Sequence, residues 1–351
     1  MTDYRRILII KPSSLGDVVH ALPTLAALRE RFPKAHIAWF VKRQWAGLLE
    51  RAEGLDAVWP VEPTPAGWLR EILRLRRFGF DLVVDLQGLL RSGVTARLTG
   101  CPTRVGFANA REGSRWFYTQ RVPVPTPDMH AVDRYLLVSG SLGAVPRGSP
   151  EFRLRVQPGD REEIARLLER HGLKPGAAWI GMNVAARWPT KRWPLDYFAS
   201  AADRIQTEGR ASVVLIGGSE DRELARAVKE RMRTVAVDLT GTTTPGLLPA
   251  LLGSASLLLT NDSGPMHVAV AMGTPVVALF GPTSPIRTGP YGANSHVLTN
   301  PVPCRPCFQR RCRNLDHLAC LTGIDPEHAV AAVQERLKRP AGVGAFSAPT
   351  K

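Results

Sequence analysis

Short apolar runs that stop at charge, Gly or Pro alternate along this chain with stretches whose apolar residues recur every three or four positions. Residues 6–11 (RILIIK) read as a buried strand, 12–17 (PSSLGD) as a turn, and 18–31 as a helix ending before Pro33. The alternation returns with a strand at 37–41, a helix near 45–51, and a strand at 82–85 before a turn at Gly88. Between 103 and 127 the pattern blurs. Arg104, Arg111, Arg115 and Arg121 are interleaved there with Phe107, Trp116, Phe117 and Tyr118, which reads as a long basic surface loop. A Gly-, Pro- and Ser-rich stretch at 140–159 suits an interdomain connection. A second run follows: helix 160–171, strand 179–183, helix 195–206, strand 212–216, helix 222–232, strand 257–260, helix 265–272 and strand 276–280. Strands alternating with helices predict α/β architecture with doubly wound parallel sheets. The expected domains are 1–155 and 156–340, with a disordered tail at 341–351. Two such domains facing one another would put the ligand-binding ends of their strands on either side of a cleft.

Composition agrees with two cores: 351 residues, 44% hydrophobic and 22% charged, exceed what one core usually holds. Lys and Arg number 46 against 31 Asp and Glu, a formal +15 that favours anionic partners. No apolar run approaches the roughly 18 residues of a membrane span, and the first residues lack a signal-peptide layout. A cytoplasmic protein with reduced thiols is expected.

Four segments carry candidate chemistry. In Ser13-Ser14-Leu15-Gly16-Asp17, Gly16 permits a tight turn and Asp17, at a strand end, either caps the following helix or serves as a general base. Pro189 and Pro194 stiffen the segment 188–194 (WPTKRWP), so Lys191 and Arg192 are either a phosphate clamp or a solvated pair. At 260–267 (TNDSGPMH) a buried strand gives way to a helix with Pro near its start, which aims backbone N–H groups at the strand's ligand edge. Asp262 there would suit sugar hydroxyls; alternatively Asp262 or Ser263 caps the helix and His267 is a core residue. In 216–221 (IGGSED), paired glycines and Glu220 follow a strand, as ribose-binding acids do in nucleotide-binding folds, or form an ordinary turn.

Two further features remain open. Cys304, Cys307, Cys312 and Cys320 are spaced either for a metal or as a thiol-rich loop, and they are not entered as a metal site. Arg70, Arg74 and Arg77 share one face of a helix at 68–78, which either grips a polyanion or is simply solvated.

Taken together, ILIIKPSSLGDVVHALP (7–23), DLVVDLQGLLRSG (81–93), PTKRWP (189–194) and TNDSGPMHVAVAMGTPVVALFGPTSP (260–285) resemble glycosyltransferase family 9, the heptosyltransferases of the lipopolysaccharide inner core. The resemblance implies a GT-B fold of two Rossmann-like domains, acceptor on the first and donor on the second. It implies inverting transfer of L-glycero-D-manno-heptose from ADP-heptose to the Kdo/heptose core on lipid A. No carboxylate pair of the DxD kind flanks the candidate donor site, so no metal or other cofactor is expected. By the same resemblance Asp17 is the base, and Lys191 offsets the charge building on the leaving diphosphate. Ser263 and Gly264 fall at phosphate-binding positions, Asp262 at the sugar contact, Glu220 at the ribose and His267 in the donor site. Arg70, Arg74, Arg77 and Arg91 would hold an anionic glycolipid acceptor at the inner-membrane surface. The N-terminal blocks are similar to heptosyltransferase I and the C-terminal blocks to heptosyltransferase II, so the acceptor stays open, as does a member with another sugar or acceptor. The rival of another class is a basic nucleic-acid-binding protein, though no zinc-finger, RNP or helix-turn-helix signature accompanies the charge. A nucleotide-sugar epimerase is a further rival.

Overall fold

The computed structural model describes residues 3–209 and 211–338, so the tail expected at 341–351 lies outside the described residues. The chain forms two compact units, the first ending at Arg155 and the second beginning at Val156.

The first unit is a six-stranded sheet of β1 (Arg6–Ile10), β2 (His36–Lys42), β3 (Ala57–Val61), β4 (Leu82–Asp85), β5 (Thr103–Phe107) and β6 (Gln120–Val122), in the order β3-β2-β1-β4-β5-β6. Every pairing is parallel, and Ile7 lies beside Ile37 on one side and Leu82 on the other. Ile7, Leu8, Ile9 and Ile10 are fully buried, as a central strand covered on both faces requires. Each contributes about 1.5–3 kcal/mol of hydrophobic stabilisation.

The second unit repeats the plan with β7 (Trp179–Asn183), β8 (Ser212–Leu215), β9 (Val237–Asp238), β10 (Leu257–Asn261), β11 (Val276–Phe280) and β12 (Ser295–Thr299), ordered β12-β11-β10-β7-β8-β9. These strands also run parallel throughout. In both sheets the chain builds outward from its first strand, returns to that strand's other side with the fourth, and continues outward. The strand order therefore reverses between β1 and β4, and again between β7 and β10. Loops at the carboxyl ends of those strand pairs diverge and leave a crevice, where open α/β sheets bind ligands.

Three expectations need correction. The segment 103–127 is not a loop throughout. It contains β5 and the edge strand β6, hidden in the sequence because half-buried Arg104 and exposed Arg121 interrupt the apolar alternation. Gly106 in β5 has a physical reason: a Cβ there would come within 2.5 Å of the Tyr118 ring. The helix expected at 18–31 is two, Leu15–His20 and Leu22–Arg31. Pro23 lacks the N–H that would continue the first into the second, and the second starts afresh around it. The pattern also gave no sign of β3, β9 or β12. Their residues are largely half-buried, so neither a continuous apolar run nor a clean alternation marks them.

Candidate functional site

In the first unit, the loop after β1 enters the helix Leu15–His20 with Ser14 as its cap, in extended conformation. Asp17 is not the cap itself. Standing three residues further on, it returns its carboxylate to the turn, where Oδ2 accepts the Ser14 N–H and the Ser14 hydroxyl, both at 2.9 Å. That leaves Oδ1 for other partners. Tyr135, on the helix Ala131–Gly140, donates its hydroxyl to Oδ1 at 3.1 Å, and Lys11 Nζ lies 3.7 Å from the same oxygen. The Lys11 ammonium also stands 5.1 Å from the centre of the Tyr135 ring, a cation–π contact.

Burial alone would raise the Asp17 pKa. The Lys11 charge and the hydrogen bonds from Ser14 and Tyr135 outweigh it, so the carboxyl sits below the ordinary carboxylate value. Lys11 is displaced too: burial lowers its pKa, and the attraction of Asp17 and Asp85 recovers only part. Asp85, at the end of β4, is wholly buried. It accepts the Tyr118 hydroxyl at 2.7 Å and the N–H groups of Gln87 and Gly88 at 2.9 and 3.2 Å. Burial raises its pKa despite these bonds. Of the two carboxylates at this crevice, Asp85 is sealed and locks the turn, whereas the Asp17 side chain is 38% exposed.

In the second unit, Asn183 and Asn261 end β7 and β10 and lace the two loops together. Asn261 Nδ2 donates to the Val184 carbonyl at 2.9 Å, and its Oδ1 accepts the Trp193 N–H at 3.0 Å. Asn183 Nδ2 reaches Ser263 Oγ at 3.4 Å. The stiff segment so held presents Lys191, whose Nζ donates to Asp262 Oδ2 at 2.6 Å. Thr283 donates to the same oxygen at 2.6 Å. Trp188 carries Lys191 on its ring at 5.0 Å and Arg310 at 5.2 Å. The basic pair of the sequence is divided, since Arg192 turns its Nε to the Ala186 carbonyl at 2.9 Å.

Ser263 and Gly264 open the helix Gly264–Ala271, and Ser263 makes no side-chain cap bond, its hydroxyl lying 3.0 Å from that of Thr260. Ser263 is thus the N-cap by position, but its side chain makes no capping bond, and the helix presents its first N–H groups uncapped by a side chain beside Lys191 and Asp262. His267 is buried in that helix. Glu220 is exposed on the turn Ser219–Asp221 after β8, the neighbour of β7, and Asp221 takes the Gly218 N–H at 2.9 Å.

The arginines expected to hold an acceptor are placed differently from one another. Arg74 binds buried Glu71 at 2.9 Å and stacks 5.2 Å from the centre of Trp59, and Arg70 lies 3.4 Å from the same Glu71, so both also serve the fold. Arg91 stacks on Trp68 at 5.0 Å, and Arg77 is exposed. The cysteines are free thiols. Cys304 accepts from the Asn314 amide at 3.7 Å and Cys312 from the Leu318 N–H at 3.3 Å. Among the described residues no three His, Cys, Asp or Glu side chains are placed to hold a metal ion. The cysteine loop instead braces the lysine segment: the Gln309 carbonyl accepts Thr190 Oγ1 at 2.8 Å, and Arg310 covers Trp188.

The sequence reading missed Lys11, Tyr135 and Asp85. The available signal was a lysine closing an otherwise apolar central strand, where an unpaired ammonium is costly and a nearby carboxylate is therefore implied.

Residues 68–317 match the family described as glycosyltransferase family 9 (heptosyltransferase). The chain belongs to glycosyltransferase family 9. This family 9 enzyme is 30% identical to lipopolysaccharide heptosyltransferase 1 of Pseudomonas aeruginosa, over 95% of its own length and 99% of the relative's. Its fold superposes on a family 9 glycosyltransferase from Veillonella parvula with a TM-score of 0.83 at 28% identity, covering 95% of this chain and 97% of that one. With the E. coli ADP-heptose lipopolysaccharide heptosyltransferase II the TM-score is 0.79 at 24% identity, covering 95% and 98%. The glycosyltransferase accordingly has the α/β, two-Rossmann-domain GT-B fold, and no described helix is long and apolar enough to cross a membrane.

Proposed function

We propose that this glycosyltransferase moves L-glycero-D-manno-heptose from ADP-heptose to the Kdo/heptose inner core of lipopolysaccharide, with inversion, at the cytoplasmic face of the inner membrane. The second unit would hold the donor and the first the acceptor. The observation that carries the assignment of roles is the opposite polarity of the two ion pairs. In the first unit Lys11 is buried (4% side-chain exposure) and Asp17 open (38%); in the second Asp262 is buried (5%) and Lys191 the more open member (18%). One crevice presents a carboxylate, the other an ammonium.

A carboxylate held ionised, with one oxygen tied to its turn, suits a general base. Asp17 Oδ1 takes the proton of the acceptor hydroxyl as that oxygen bonds to the anomeric carbon. The bond from that carbon to the diphosphate breaks, and its electron pair leaves with ADP. Lys191 and the N–H groups opening the helix Gly264–Ala271 meet the charge that develops on the diphosphate. Asp262 orients Lys191 and is within reach of a sugar hydroxyl, Glu220 meets the ribose, and His267 backs the helix that carries the phosphate site. Arg77 and Arg91, with Arg70 and Arg74 behind them, meet the carboxylates and phosphates of the acceptor.

The test is an acceptor panel. Purified enzyme with ADP-heptose is offered Kdo-lipid A and its singly heptosylated product, and ADP release and product mass are followed. Addition of one heptose to either supports the reading and fixes the acceptor. No addition to either, or conversion of ADP-heptose without an acceptor, overturns it.

A further inference from the structure

Two neighbouring helices of the first unit, Pro65–Phe78 and Leu90–Leu98, leave apolar surface uncovered. Leu69 is 56% exposed, Leu73 50%, Leu90 46% and Leu98 40%. Leu69 and Leu73 are one turn apart on the first helix, and Leu90 and Leu98 lie two turns apart on the second with Val94 between them. A groove of about 400 Å³ separates the helices, lined by Trp68, Ile72, Leu90, Arg91 and Val94 and, from the loop after β5, by the one acid Glu112, whose carboxylate accepts the Leu90 N–H at 3.1 Å. Leu90 lines the groove itself, and Leu69, Leu73 and Leu98 are exposed on the two helices that form it.

The charge on these helices is one-sided. They carry Arg70, Arg74, Arg76, Arg77, Arg91 and Arg97 against the single acid Glu71, which is buried and already bound by Arg70 and Arg74. Apolar side chains standing proud among cations, with no exposed acid on either helix, match the boundary between phosphate headgroups and acyl chains. A soluble polyanion would use the arginines and leave the leucines in water. A protein partner would have to supply its own dense acidic ring.

We infer that the face formed by helices Pro65–Phe78 and Leu90–Leu98 docks on an anionic lipid bilayer, Leu69, Leu73, Leu90 and Leu98 entering the acyl boundary while the arginines around them hold lipid phosphates. The inference rests on the reading of the acceptor as a membrane glycolipid and supplies the contact that brings the enzyme to it.

The experiment is flotation with vesicles of phosphatidylcholine alone or with phosphatidylglycerol, without donor or acceptor, so that its outcome does not depend on the sugar transferred. Wild-type enzyme is expected to float with the phosphatidylglycerol vesicles and to be released by salt. Replacing the four leucines by Gln, which leaves the charge unchanged, is expected to weaken binding at least about tenfold. The same change at Ile286 and Val235, exposed residues of the second unit, is expected to leave binding as it was. Circular dichroism and ADP binding verify that the variants fold. Full binding by the four-leucine variant, equal binding to neutral vesicles, absence of wild-type binding, or a wild-type dimer that the leucine changes dissociate would each overturn the inference. Failure of heptosyl transfer with vesicle binding intact would instead overturn only the proposed reaction.

Discussion

Replacing Lys11 by Met tests the electrostatics of the proposed base. The substitution keeps an unbranched chain of similar length in a buried position and removes only the charge 3.7 Å from Asp17 Oδ1. At that separation, with the effective dielectric near 20 that suits protein sites, two unit charges attract by about 4 kcal/mol. Water reaches the Asp17 side chain and screens part of the attraction, so the Asp17 pKa is expected to rise when the charge is removed, by less than the whole attraction would give. The sign follows from the present balance, in which Lys11 and the hydrogen bonds hold Asp17 below the ordinary carboxylate value against burial. Without Lys11, burial meets only hydrogen bonds, and the pKa climbs. Activity that needs ionised Asp17 is lost as pH falls through that pKa, so the acid limb of the profile should move to higher pH in the variant.

The assay is the pH dependence of kcat/KM for the acceptor, read from ADP release at saturating donor, with ADP affinity as a check on the second unit. An acid limb that stays in place, in a variant that is folded and binds ADP normally, would refute the claim that Lys11 sets the ionisation of the base.

Tyr135→Phe should move the same limb in the same direction by less, since it deletes one neutral donor to Asp17, and should cost about 1 kcal/mol in denaturant unfolding. Lys191→Met should lower kcat by about 10²- to 10³-fold, the loss seen when a charge-stabilising donor is removed; pre-steady-state ADP formation would show whether chemistry is the step affected. Gly106→Ala should destabilise the first unit by about 1–3 kcal/mol, because its Cβ would overlap the Tyr118 ring and loosen that residue's bond to Asp85; thermal melting reads this directly. Arg77→Glu should weaken binding of the anionic acceptor and leave ADP affinity unchanged in titration calorimetry. Arg74→Glu is expected to cost stability as well, because it would set a second carboxylate against buried Glu71.

Central strands were legible because burial on both faces forces near-continuous apolar runs, and β1, β7, β10 and β11 fall within a residue or so of where the pattern puts them. Strands β3 and β6 were not, because edge positions admit Pro60, which no central ladder tolerates, and the exposed Arg121, and so break the apolar run. Of the candidate residues, Lys191, Asp262, Ser263 and Gly264 are gathered by the loops after β7 and β10, whose adjacency follows from the strand order. Local sequence could not supply Tyr135, which reaches Asp17 from a helix 118 positions away, nor the pairing of Lys191 with Asp262 across 71. Charge partners that belong to different loops become visible only once the sheet order fixes which loops are neighbours.

The same strand order yields two crevices with opposite chemistry, and the difference comes down to which member of an ion pair the sheet buries. In the first unit the lysine extends the central strand itself and is held inside, while the aspartate rides on the first turn of a helix at the rim. In the second the aspartate follows its strand directly and is enclosed by Thr283, while the lysine comes from a proline-stiffened loop and leans in from outside. Breaking a buried ion pair carries a large penalty, so each inner residue holds the outer one in one place. In the proposed reaction the outer aspartate takes the proton of the acceptor hydroxyl and the outer lysine meets the diphosphate. On that proposal, exchanging Lys11 with Asp17 would not move base function to the strand, because it would put the carboxylate at the buried position, where the side chain is 4% exposed, and the ammonium at the open one.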